Sequence, residues 1–345
     1  MEKQLKTVVW GNYKGGVGKT TSVFQVAAYF AQNGKKVLLL DLDPQCSLSR
    51  ICSEATGGEQ KALSEYQVDE VFNYLIEIYM RYINYHPDID LSLLMGADIS
   101  IPGIDVILNK ICVALPKYNN NLKFIPSSIN FEDSRLNDLA QKMGNNIYNI
   151  FLMHLVIKEI AKTGKFDYLF IDCPPTSNML IQSAFLASNY YIVPTIVDEI
   201  SAKGVVDYIL QIENTYKRFA LNEQIGSLLL YKVFATRTKL VGVFETIYKE
   251  RRGDADNSWQ VFTLDRNIQE EIPDIETLIS NPIYIDYRYN KPLDAIDTKN
   301  IFRYYIGHRD NRSTGESIPE NTSGGKANPF YREISQAILK ILEDQ

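Results

Sequence analysis

Cysteine and histidine are scarce in this chain of 345 residues. The four cysteines and three histidines are Cys46, Cys52, Cys112, Cys173, His86, His154 and His308. No two cysteines form a C-x-x-C pair and the histidines are scattered, so the sequence favours neither a disulfide framework nor a zinc site. Cysteine usage of this kind is typical of the reducing cytoplasm, where we expect the protein to work.

Long apolar runs and an excess of positive charge are also lacking. No run of about 18 apolar residues occurs, so we expect no transmembrane span. Residues 1–4 lead straight into an apolar segment, and we expect no signal peptide. The formal net charge of −6 excludes a globally basic nucleic-acid binder but allows a local basic face. With 45% hydrophobic and 23% charged residues, the composition is that of a globular protein, and the length allows one large α/β domain or two small ones. We predict a single domain over 1–345.

A glycine-rich loop lies near the amino terminus. From Gly11 to Thr20 the chain reads GNYKGGVGKT, which matches the P-loop pattern G-x-x-x-x-G-K-[ST]. A segment rich in β-branched and aromatic residues precedes this loop, and an apolar pattern of helical period follows it. The sequence therefore predicts a strand, a phosphate-binding loop and a helix; a turn with incidental glycines is the simpler alternative.

The residue types in the loop suit a bound nucleotide. Gly15, Gly16 and Gly18 allow backbone N–H groups to converge on an anion, and the following helix adds the positive end of its dipole. Lys19 is expected to reach the β- and γ-phosphates, and the Thr20 hydroxyl to bind Mg²⁺.

Acidic side chains end two further apolar segments. Asp41 and Asp43 follow the first, and Asp172 follows the second in the sequence DCPP. Ligands of open α/β sheets bind at the carboxyl ends of strands, so we expect these carboxylates near Lys19 and the metal. A carboxylate at a strand end that holds Mg²⁺ through water is the Walker B arrangement, which we assign to Asp172. A solvated turn capped by aspartate is the alternative for Asp41 and Asp43.

The apolar segments predict alternating strands and helices. Helices are predicted at 20–33, 68–83, 100–115, 145–162 and 176–187, and strands at 8–10, 36–40, 122–127, 167–171, 190–194 and 226–234. Strand–helix–strand units of this length cross over right-handed between parallel strands. We therefore predict an α/β fold: a doubly wound, mostly parallel sheet with helices on both faces, as in P-loop NTPases.

Three other segments carry expectations. Residues 53–121 predict a helical excursion, which could be a partner-binding surface or a lid over the sheet. The polar stretch 309–326 predicts a mobile loop. The helix predicted after Pro329 has acidic residues on its polar face, so docking on the sheet is favoured over lying on a membrane. His154 is expected to be a packed core residue.

Positive charge is concentrated between 217 and 252, where eight basic residues outnumber three acidic ones. The basic residues are Lys217, Arg218, Lys232, Arg237, Lys239, Lys249, Arg251 and Arg252. Such a stretch suits sequence-independent contact with DNA phosphates. An ordinary solvated basic surface is the alternative.

A second lysine in the loop connects the chain to a known family. Residues 14–21, KGGVGKTT, resemble the deviant Walker A motif of the ParA/MinD family of P-loop ATPases. The sequences DLDPQ at 41–45, DCPP at 172–175, DRNI at 265–268 and YNKPL at 289–293 resemble further segments of that family, in the family's order. The resemblance therefore extends over nearly the whole chain.

The resemblance implies ATP as the nucleotide, with Mg²⁺. The residues implied to hold the nucleotide are Lys14, Gly15, Gly16, Val17, Gly18, Lys19, Thr20, Thr21 and, beside the base, Arg237. Thr20, Asp41 and Asp172 are implied to hold the metal. For catalysis the resemblance implies Lys14, Lys19 and Asp43, with Asp43 near the attacking water. The Lys14 side chain is implied to cross a homodimer that encloses ATP and to touch the nucleotide of the other subunit.

The same resemblance implies partners and a cellular role. A ParA-type protein would form a homodimer with ATP, bind DNA non-specifically on the nucleoid and hydrolyse ATP when a ParB-type activator completes the site. Plasmid or chromosome partition follows from that behaviour, and no membrane partner is expected. The alternatives are ParA-like positioning of a non-DNA cargo, a MinD-like regulator of division, and an electron-transferring relative of nitrogenase reductase. The last would need cysteines that meet across the dimer.

Overall fold

The description covers residues 5–56, 61–86, 88–96, 99–196, 199–234, 237–246, 266–268, 270–272, 285–286, 291–292 and 328–344 of a computed structural model. Within these residues, seven strands form one sheet. They are β1 (Lys6–Trp10), β2 (Val37–Asp41), β3 (Val113–Ala114), β4 (Leu122–Ile125), β5 (Tyr168–Asp172), β6 (Tyr190–Thr195) and β7 (Lys239–Glu245). The order across the sheet is β3-β4-β2-β5-β1-β6-β7. Every neighbouring pair is parallel except β3 with β4, so a mostly parallel sheet is confirmed.

The helices that the structure describes are α1 (Lys19–Gln32), α2 (Ser47–Ala55), α3 (Phe72–Tyr85), α4 (Ile89–Leu94), α5 (Ile104–Ile111), α6 (Leu136–Met143), α7 (Leu152–Lys162), α8 (Met179–Ala187), α9 (Glu199–Ala220), α10 (Gly226–Val233) and α11 (Asn328–Glu343). Short 3₁₀ helices span Leu63–Glu65, Val68–Glu70, Pro116–Tyr118 and Ile147–Phe151. Two short strands, β8 (Ile285–Asp286) and β9 (Lys291–Pro292), form a separate antiparallel pair.

Helices cover both faces of the sheet, and each face has its own apolar core. Residues of α1, α2 and α11 pack against one face, where Phe30 lies against Tyr168 and Phe170 of β5. Residues of α3 and α5 through α10 pack against the other face. Strands β2 and β5 are buried along their whole length, as expected for inner strands of a parallel sheet. The predicted fold class, doubly wound α/β with helices on both faces, is confirmed.

One predicted strand is wrong, and the error displaces the strand that follows. Residues 226–234 were expected to form a strand, but Gly226–Val233 is α10. A continuous apolar run has no clear period and fits either element. In the structure Leu229 and Leu230 are buried whereas Leu228 and Tyr231 are exposed, which is the one-sided burial of a surface helix. The strand expected there is β7, which begins at Lys239.

The predicted excursion at 53–121 contains α3, α4, α5 and β3. Phe72, Leu75 and Tyr79 of α3 are fully buried against the sheet, so this helix belongs to the core. The predicted helix at 68–83 is confirmed from Phe72 onward, after one turn of 3₁₀ helix. Partner binding by the outer surface of this segment stays a prediction. The predicted loop at 309–326 lies outside the described residues.

The last helix docks on the domain, as predicted. Tyr331, Ile334 and Ile338 of α11 are fully buried, and the Tyr331 hydroxyl lies 3.2 Å from the Ser22 hydroxyl of α1. His154 is also packed, edge-on against Phe234, and burial lowers its pKa to about 4. No helix that the structure describes is long and apolar enough to cross a membrane.

Candidate nucleotide-binding site

Three strand ends meet at one edge of the sheet. Strand β5 lies between β1 and β2, and the registers place Asp172 opposite both Trp10 and Asp41. The glycine-rich loop leaves β1 at this edge, where the Cys173 amide donates to the Trp10 carbonyl oxygen at 3.0 Å. The loop and the predicted acidic strand ends therefore lie together, because the carboxyl ends of parallel strands share one edge.

The loop leaves backbone N–H groups available to an anion. Gly16 and Gly18 have φ of +73° and +72°, in the left-handed region that glycine adopts at little cost. Helix α1 starts directly after Gly18, and no side chain caps its first turn. The N–H groups of that turn can therefore bind phosphate oxygens. The Thr246 hydroxyl donates to the Val17 carbonyl oxygen at 2.5 Å and fixes the middle of the loop.

Lys19 is held inside the loop. Its side chain is buried, and Nζ donates to the Lys14 carbonyl oxygen at 2.9 Å. Burial lowers the pKa of Lys19, whereas the charges of Asp172 and Asp43 raise it. The ammonium group thus lies close to both carboxylates, where the phosphates of a nucleotide would approach.

The outer half of the loop, residues 11–14, is fixed by a residue that the sequence analysis missed. Asn12 is buried; its Oδ1 accepts a hydrogen bond from the Lys14 amide at 2.9 Å, and its Nδ2 donates to the Pro194 carbonyl oxygen at 2.9 Å. The end of β6 therefore holds the Lys14 backbone, while the Lys14 side chain is partly exposed. The P-loop pattern leaves position 12 open, so the motif carried no signal for it.

Asp172 is a fully buried carboxylate without ordinary hydrogen bonds. Neither carboxylate oxygen has a partner of normal hydrogen-bond geometry. Burial, reinforced by the charge of Asp41, raises the pKa of Asp172 well above its usual value, although the Thr20 side chain lies near enough to lower it in part. The nearby Lys19 ammonium offsets part of the cost of burying this carboxylate, and a proton or a further cation would offset more of it.

Asp41 and Asp43 form a hydrogen-bonded turn after β2. The Asp41 carboxylate accepts from the Asp43 amide at 3.0 Å and from the Ser49 amide at 2.8 Å. Burial raises the pKa of Asp41 to about 7, and these hydrogen bonds offset part of that shift. Asp43 is partly exposed, and its Oδ1 accepts from the Gln45 amide at 2.9 Å. The turn is thus a local structural motif that also brings Asp43 to the edge of the P-loop.

The oxygen atoms at this edge fit a Mg²⁺ ion. Mg²⁺ takes one or two carboxylates together with water and substrate phosphates. The unpartnered oxygens of Asp172 and the hydroxyl of Thr20 are suitable ligands, whereas both oxygens of Asp41 already accept backbone hydrogen bonds and would support the ion from behind. No group of three or more His, Cys, Asp or Glu side chains in the described part of the chain could hold a metal.

Arg237 lies at the wrong edge for the role that the resemblance implied. It precedes Lys239, the first residue of β7, which pairs with Tyr190 at the amino end of β6. The P-loop lies at the carboxyl ends of the strands, so β7 separates Arg237 from it. The Arg237 guanidinium instead pairs with Glu213 at 2.8 Å. A contact between Arg237 and the base is therefore a wrong prediction, which follows from the misplaced strand at 226–234.

The residue that contacts the P-loop from the end of β7 is Thr246. It comes nine positions after Arg237 and follows the last strand residue, Glu245. The sequence contained no local signal for Thr246, because the contact depends on where β7 ends. Tyr208 of α9, which also lies beside the loop, was missed for the same reason: the approach is long-range.

The sequence matches a protein family and named relatives over most of its length. A family model described as "AAA domain" matches residues 5–226. The chain is 26% identical over 235 residues to the chromosome-partitioning ATPase Soj of Treponema pallidum (strain Nichols), covering 68% of this chain and 74% of that protein. It is 25% identical over 247 residues to the chromosome partitioning protein ParA of Caulobacter vibrioides, covering 72% and 71%.

Solved structures share the fold. The ATP complex of a McdA variant from Cyanothece superposes with a TM-score of 0.60 at 15% identity, covering 99% of this chain and 96% of that one. A putative plasmid partition protein from Borrelia burgdorferi B31, bound to AMPPNP, superposes with a TM-score of 0.54 at 18% identity and 99% coverage of both chains. With its P-loop, its DLDPQ and DCPP strand ends and these relatives, the chain belongs to the ParA/MinD-type family of P-loop ATPases.

Proposed function

We propose that this protein is a ParA-type partition ATPase. In this proposal two subunits enclose ATP and Mg²⁺, the ATP-bound dimer holds DNA without sequence preference, and a ParB-type activator stimulates hydrolysis and so releases the DNA. The cargo is a plasmid or chromosome, and the protein works in the cytoplasm on the nucleoid.

The observation that carries the proposal is the different setting of the two loop lysines. Lys19 is buried and hydrogen-bonded within its own loop, at the position where it would contact the phosphates of the nucleotide bound to the same subunit. Lys14 adds a second cation whose side chain is partly exposed. Mg²⁺ and Lys19 would already offset most of the charge of the nucleotide bound to the same subunit. The Lys14 ammonium would therefore contribute most by contacting the phosphates of a second nucleotide, as in a dimer that encloses two nucleotides.

The residues at the strand ends suit phosphoryl transfer. Bound Mg²⁺ would neutralise charge on the β- and γ-phosphates, held by Thr20 and Asp172 with Asp41 behind them. Lys19 would neutralise the same oxygens, and Asp43 would orient the attacking water. Because phosphoryl transfer depends mainly on positioning and charge, we expect slow turnover until the activator completes the site.

A basic surface for DNA is supported at the edge of the sheet opposite the nucleotide. Lys217 and Arg218 form the last turn of α9, and both are exposed. The pairing of Arg237 with Glu213, and its position 4.8 Å above the Tyr216 ring, bring that end of α9 beside the start of β7. Lys232 and Lys239 add exposed charge nearby in the chain. The other predicted basic residues, Lys249, Arg251 and Arg252, lie outside the described residues.

Reversing the charge at the end of α9 is expected to weaken DNA retention. In a Lys217→Glu, Arg218→Glu variant, the salt dependence of DNA binding should fall by about two counterions for each subunit that contacts the DNA, because two phosphate contacts per subunit are lost. ATP-dependent dimerisation should persist. A charge-matched control, Arg81→Glu with Lys142→Glu, changes exposed residues of α3 and α6 and should retain DNA. Filter binding over a series of salt concentrations measures this dependence for the ATP-locked protein, that is, the dimer held by a non-hydrolysable ATP analogue. An unchanged slope of DNA affinity against salt concentration would place the DNA surface elsewhere.

The last helix does not favour the MinD-like alternative. The apolar residues of α11 that the structure describes are buried against α1 instead of forming a free stripe for a membrane. Positioning of a non-DNA cargo would use the same catalytic residues, and it is distinguished by what co-purifies with the ATP-locked protein.

Replacing Lys14 by alanine tests the central proposal. We expect the dissociation constant of the ATP-dependent dimer to rise by at least about tenfold, since one charge-assisted contact per site is lost. Binding of Mg·ATP by the monomer should change less than about threefold, because Lys19 and the loop amides remain. Sedimentation equilibrium with a non-hydrolysable ATP analogue measures the proportions of monomer and dimer, and nucleotide titration measures the affinity of the monomer for Mg·ATP. Lys36→Ala is the matched surface control. A Lys14→Ala dimer as tight as the wild type would refute the proposed function.

A further inference from the structure

Tyr208 fills the space beside the first residue of the P-loop. It is buried on α9, and a Cβ added to Gly11 would lie only 1.6 Å from its hydroxyl oxygen and 2.7 Å from Cζ. Gly11 is not among the glycines with positive φ, so its backbone alone would accept another residue. Glycine is therefore required at this position by the close approach of Tyr208.

Tyr208 also holds a second residue of the loop. Its ring packs edge-on against the Tyr13 ring, with centroids 4.8 Å apart and planes at 90°. The Ser177 side chain hydrogen bonds to Tyr13, and Ser177 in turn accepts from Gln211 of α9 at 3.3 Å. The P-loop, α9 and the loop after β5 thus meet in one cluster around Tyr13.

The Tyr208 hydroxyl is not explained by packing alone. It is buried and has no hydrogen-bond partner, a state that costs free energy and that phenylalanine would avoid. Asp172 and Cys173 lie near enough to influence its pKa, which burial raises. The hydroxyl therefore lies at the start of the P-loop, beside Gly11.

The two halves of the loop are joined by the hydrogen bond from Lys19 Nζ to the Lys14 carbonyl oxygen, but each half has its own support from the rest of the fold. Residues 15–20 are held by the Thr246 hydroxyl at Val17 and by the start of α1. Residues 11–14 are held by the Asn12 hydrogen bonds and by Tyr208. Lys14 belongs to the half that Tyr208 supports, whereas the amides and the lysine that bind the nucleotide's own phosphates belong to the other half.

We propose that Tyr208 is a positioning residue which, through Gly11 and Tyr13, sets the place of Lys14 at the dimer face. This inference rests on the proposed role of Lys14. The P-loop would then serve two steps that can be separated, nucleotide binding by the monomer and formation of the ATP-bound dimer. Loss of Tyr208 impairs dimer formation, while the monomer still binds Mg·ATP.

A double-mutant cycle between Tyr208→Leu and Lys14→Ala tests this inference. Each single variant is expected to weaken the ATP-dependent dimer by about tenfold, and the double variant to be within about twofold of either, because both changes remove the same contact. The nucleotide affinity of each monomer should change less than about threefold. Sedimentation equilibrium and nucleotide titration, with a non-hydrolysable ATP analogue and Mg²⁺, measure the two quantities.

The outcomes separate the inference from the proposal beneath it. Independent effects, with the double variant about a hundredfold weaker, would overturn the positioning role, as would equal losses of dimer and of monomer nucleotide affinity. A Lys14→Ala dimer as tight as the wild type would overturn the proposed function and this role with it. If Tyr208→Leu does not fold, Tyr208→Phe replaces it in the cycle. The inference would then be overturned if the losses of dimer affinity caused by Tyr208→Phe and by Lys14→Ala simply add in the double variant.

A steric test does not depend on Lys14. Gly11→Ala is expected to weaken dimer formation by about tenfold while Tyr208 is present, because the new methyl group and the hydroxyl claim the same space. Combining Gly11→Ala with Tyr208→Leu removes the clash, so the double variant should stay about tenfold weaker than the wild type, as Tyr208→Leu alone is, and not become about a hundredfold weaker. Such non-additive effects support the pairing of residues 11 and 208, and a weakening of about a hundredfold overturns it.

Discussion

Replacing Lys19 by alanine is expected to abolish useful nucleotide binding, with the dissociation constant for Mg·ATP rising by at least about a hundredfold. The ammonium group is buried and already oriented by the Lys14 carbonyl oxygen at 2.9 Å, so little further ordering is needed when the phosphates arrive. Removing one partner of a buried charge pair costs about 2–5 kcal/mol, or about thirtyfold to several thousandfold in affinity, and the expected loss lies within this range. Isothermal titration of the monomer measures it.

Lys19→Met separates charge from packing in the same position. Methionine keeps much of the buried stem, so a comparable loss in both variants would assign the effect to the ammonium group. We expect neither variant to unfold, because Lys19 itself pays a desolvation cost that burial imposes on its charged form. Either variant binding Mg·ATP within about threefold of the wild type would contradict a role for Lys19 at the phosphates.

The sequence located the nucleotide site because its residues follow local rules. A P-loop needs glycines, a lysine and a hydroxyl at fixed spacing, and an acid after an apolar run marks a strand end. Asp41 and Asp172 therefore could be placed at one edge of a parallel sheet before any geometry was known, and the register of β2, β5 and β1 confirms that placement. Their roles as metal ligands stay a proposal.

The residues that sequence reasoning missed are the ones fixed by distant elements. Thr246 and Tyr208 contact the loop only because β7 ends and α9 passes beside it, and Asn12 can hold the loop only because β6 ends within reach of its side chain. The apolar run before Phe234 has no clear period, and taking it as a strand carried Arg237 to the wrong edge of the sheet. Burial on one side of α10 decides that case, and burial is a property of the folded chain.

Asp172→Asn is expected to stabilise the protein when metal and nucleotide are absent, while destroying its activity. The wild-type carboxylate is fully buried with no ordinary hydrogen bond, and burial penalises its charge more than the nearby Lys19 ammonium favours it. Replacing this charge by a neutral group of the same shape is therefore expected to raise the free energy of unfolding at pH 8. Urea denaturation in the presence of a chelator measures this change.

The gain should depend on pH in a defined direction. Burial raises the pKa of Asp172 in the folded state, so the folded protein binds the proton more tightly than the unfolded chain does. The associated stability is complete below the unfolded pKa of about 4 and is lost as the pH rises through the raised value. Asp41, whose pKa is raised to about 7, titrates in both proteins, so its effect largely cancels in the comparison. The advantage of Asp172→Asn should therefore shrink between pH 8 and pH 5.

Mg²⁺ and ATP should reverse the order of the two proteins. In the wild type the cation would satisfy the buried carboxylate if it binds as proposed, and binding to the folded state adds stability in proportion to the logarithm of ligand concentration. The amide of Asp172→Asn cannot supply that charge, so Mg·ATP should stabilise this variant less, and hydrolysis should fall by at least about a hundredfold. Asp167→Asn, at the other end of β5, is the matched control, because its carboxylate accepts from the Lys36 amide at 2.9 Å, away from the P-loop. Equal stabilisation of the Asp172→Asn variant and the wild type by Mg·ATP would show that the metal lies elsewhere, since a ligand that leaves the buried carboxylate untouched cannot distinguish the two proteins.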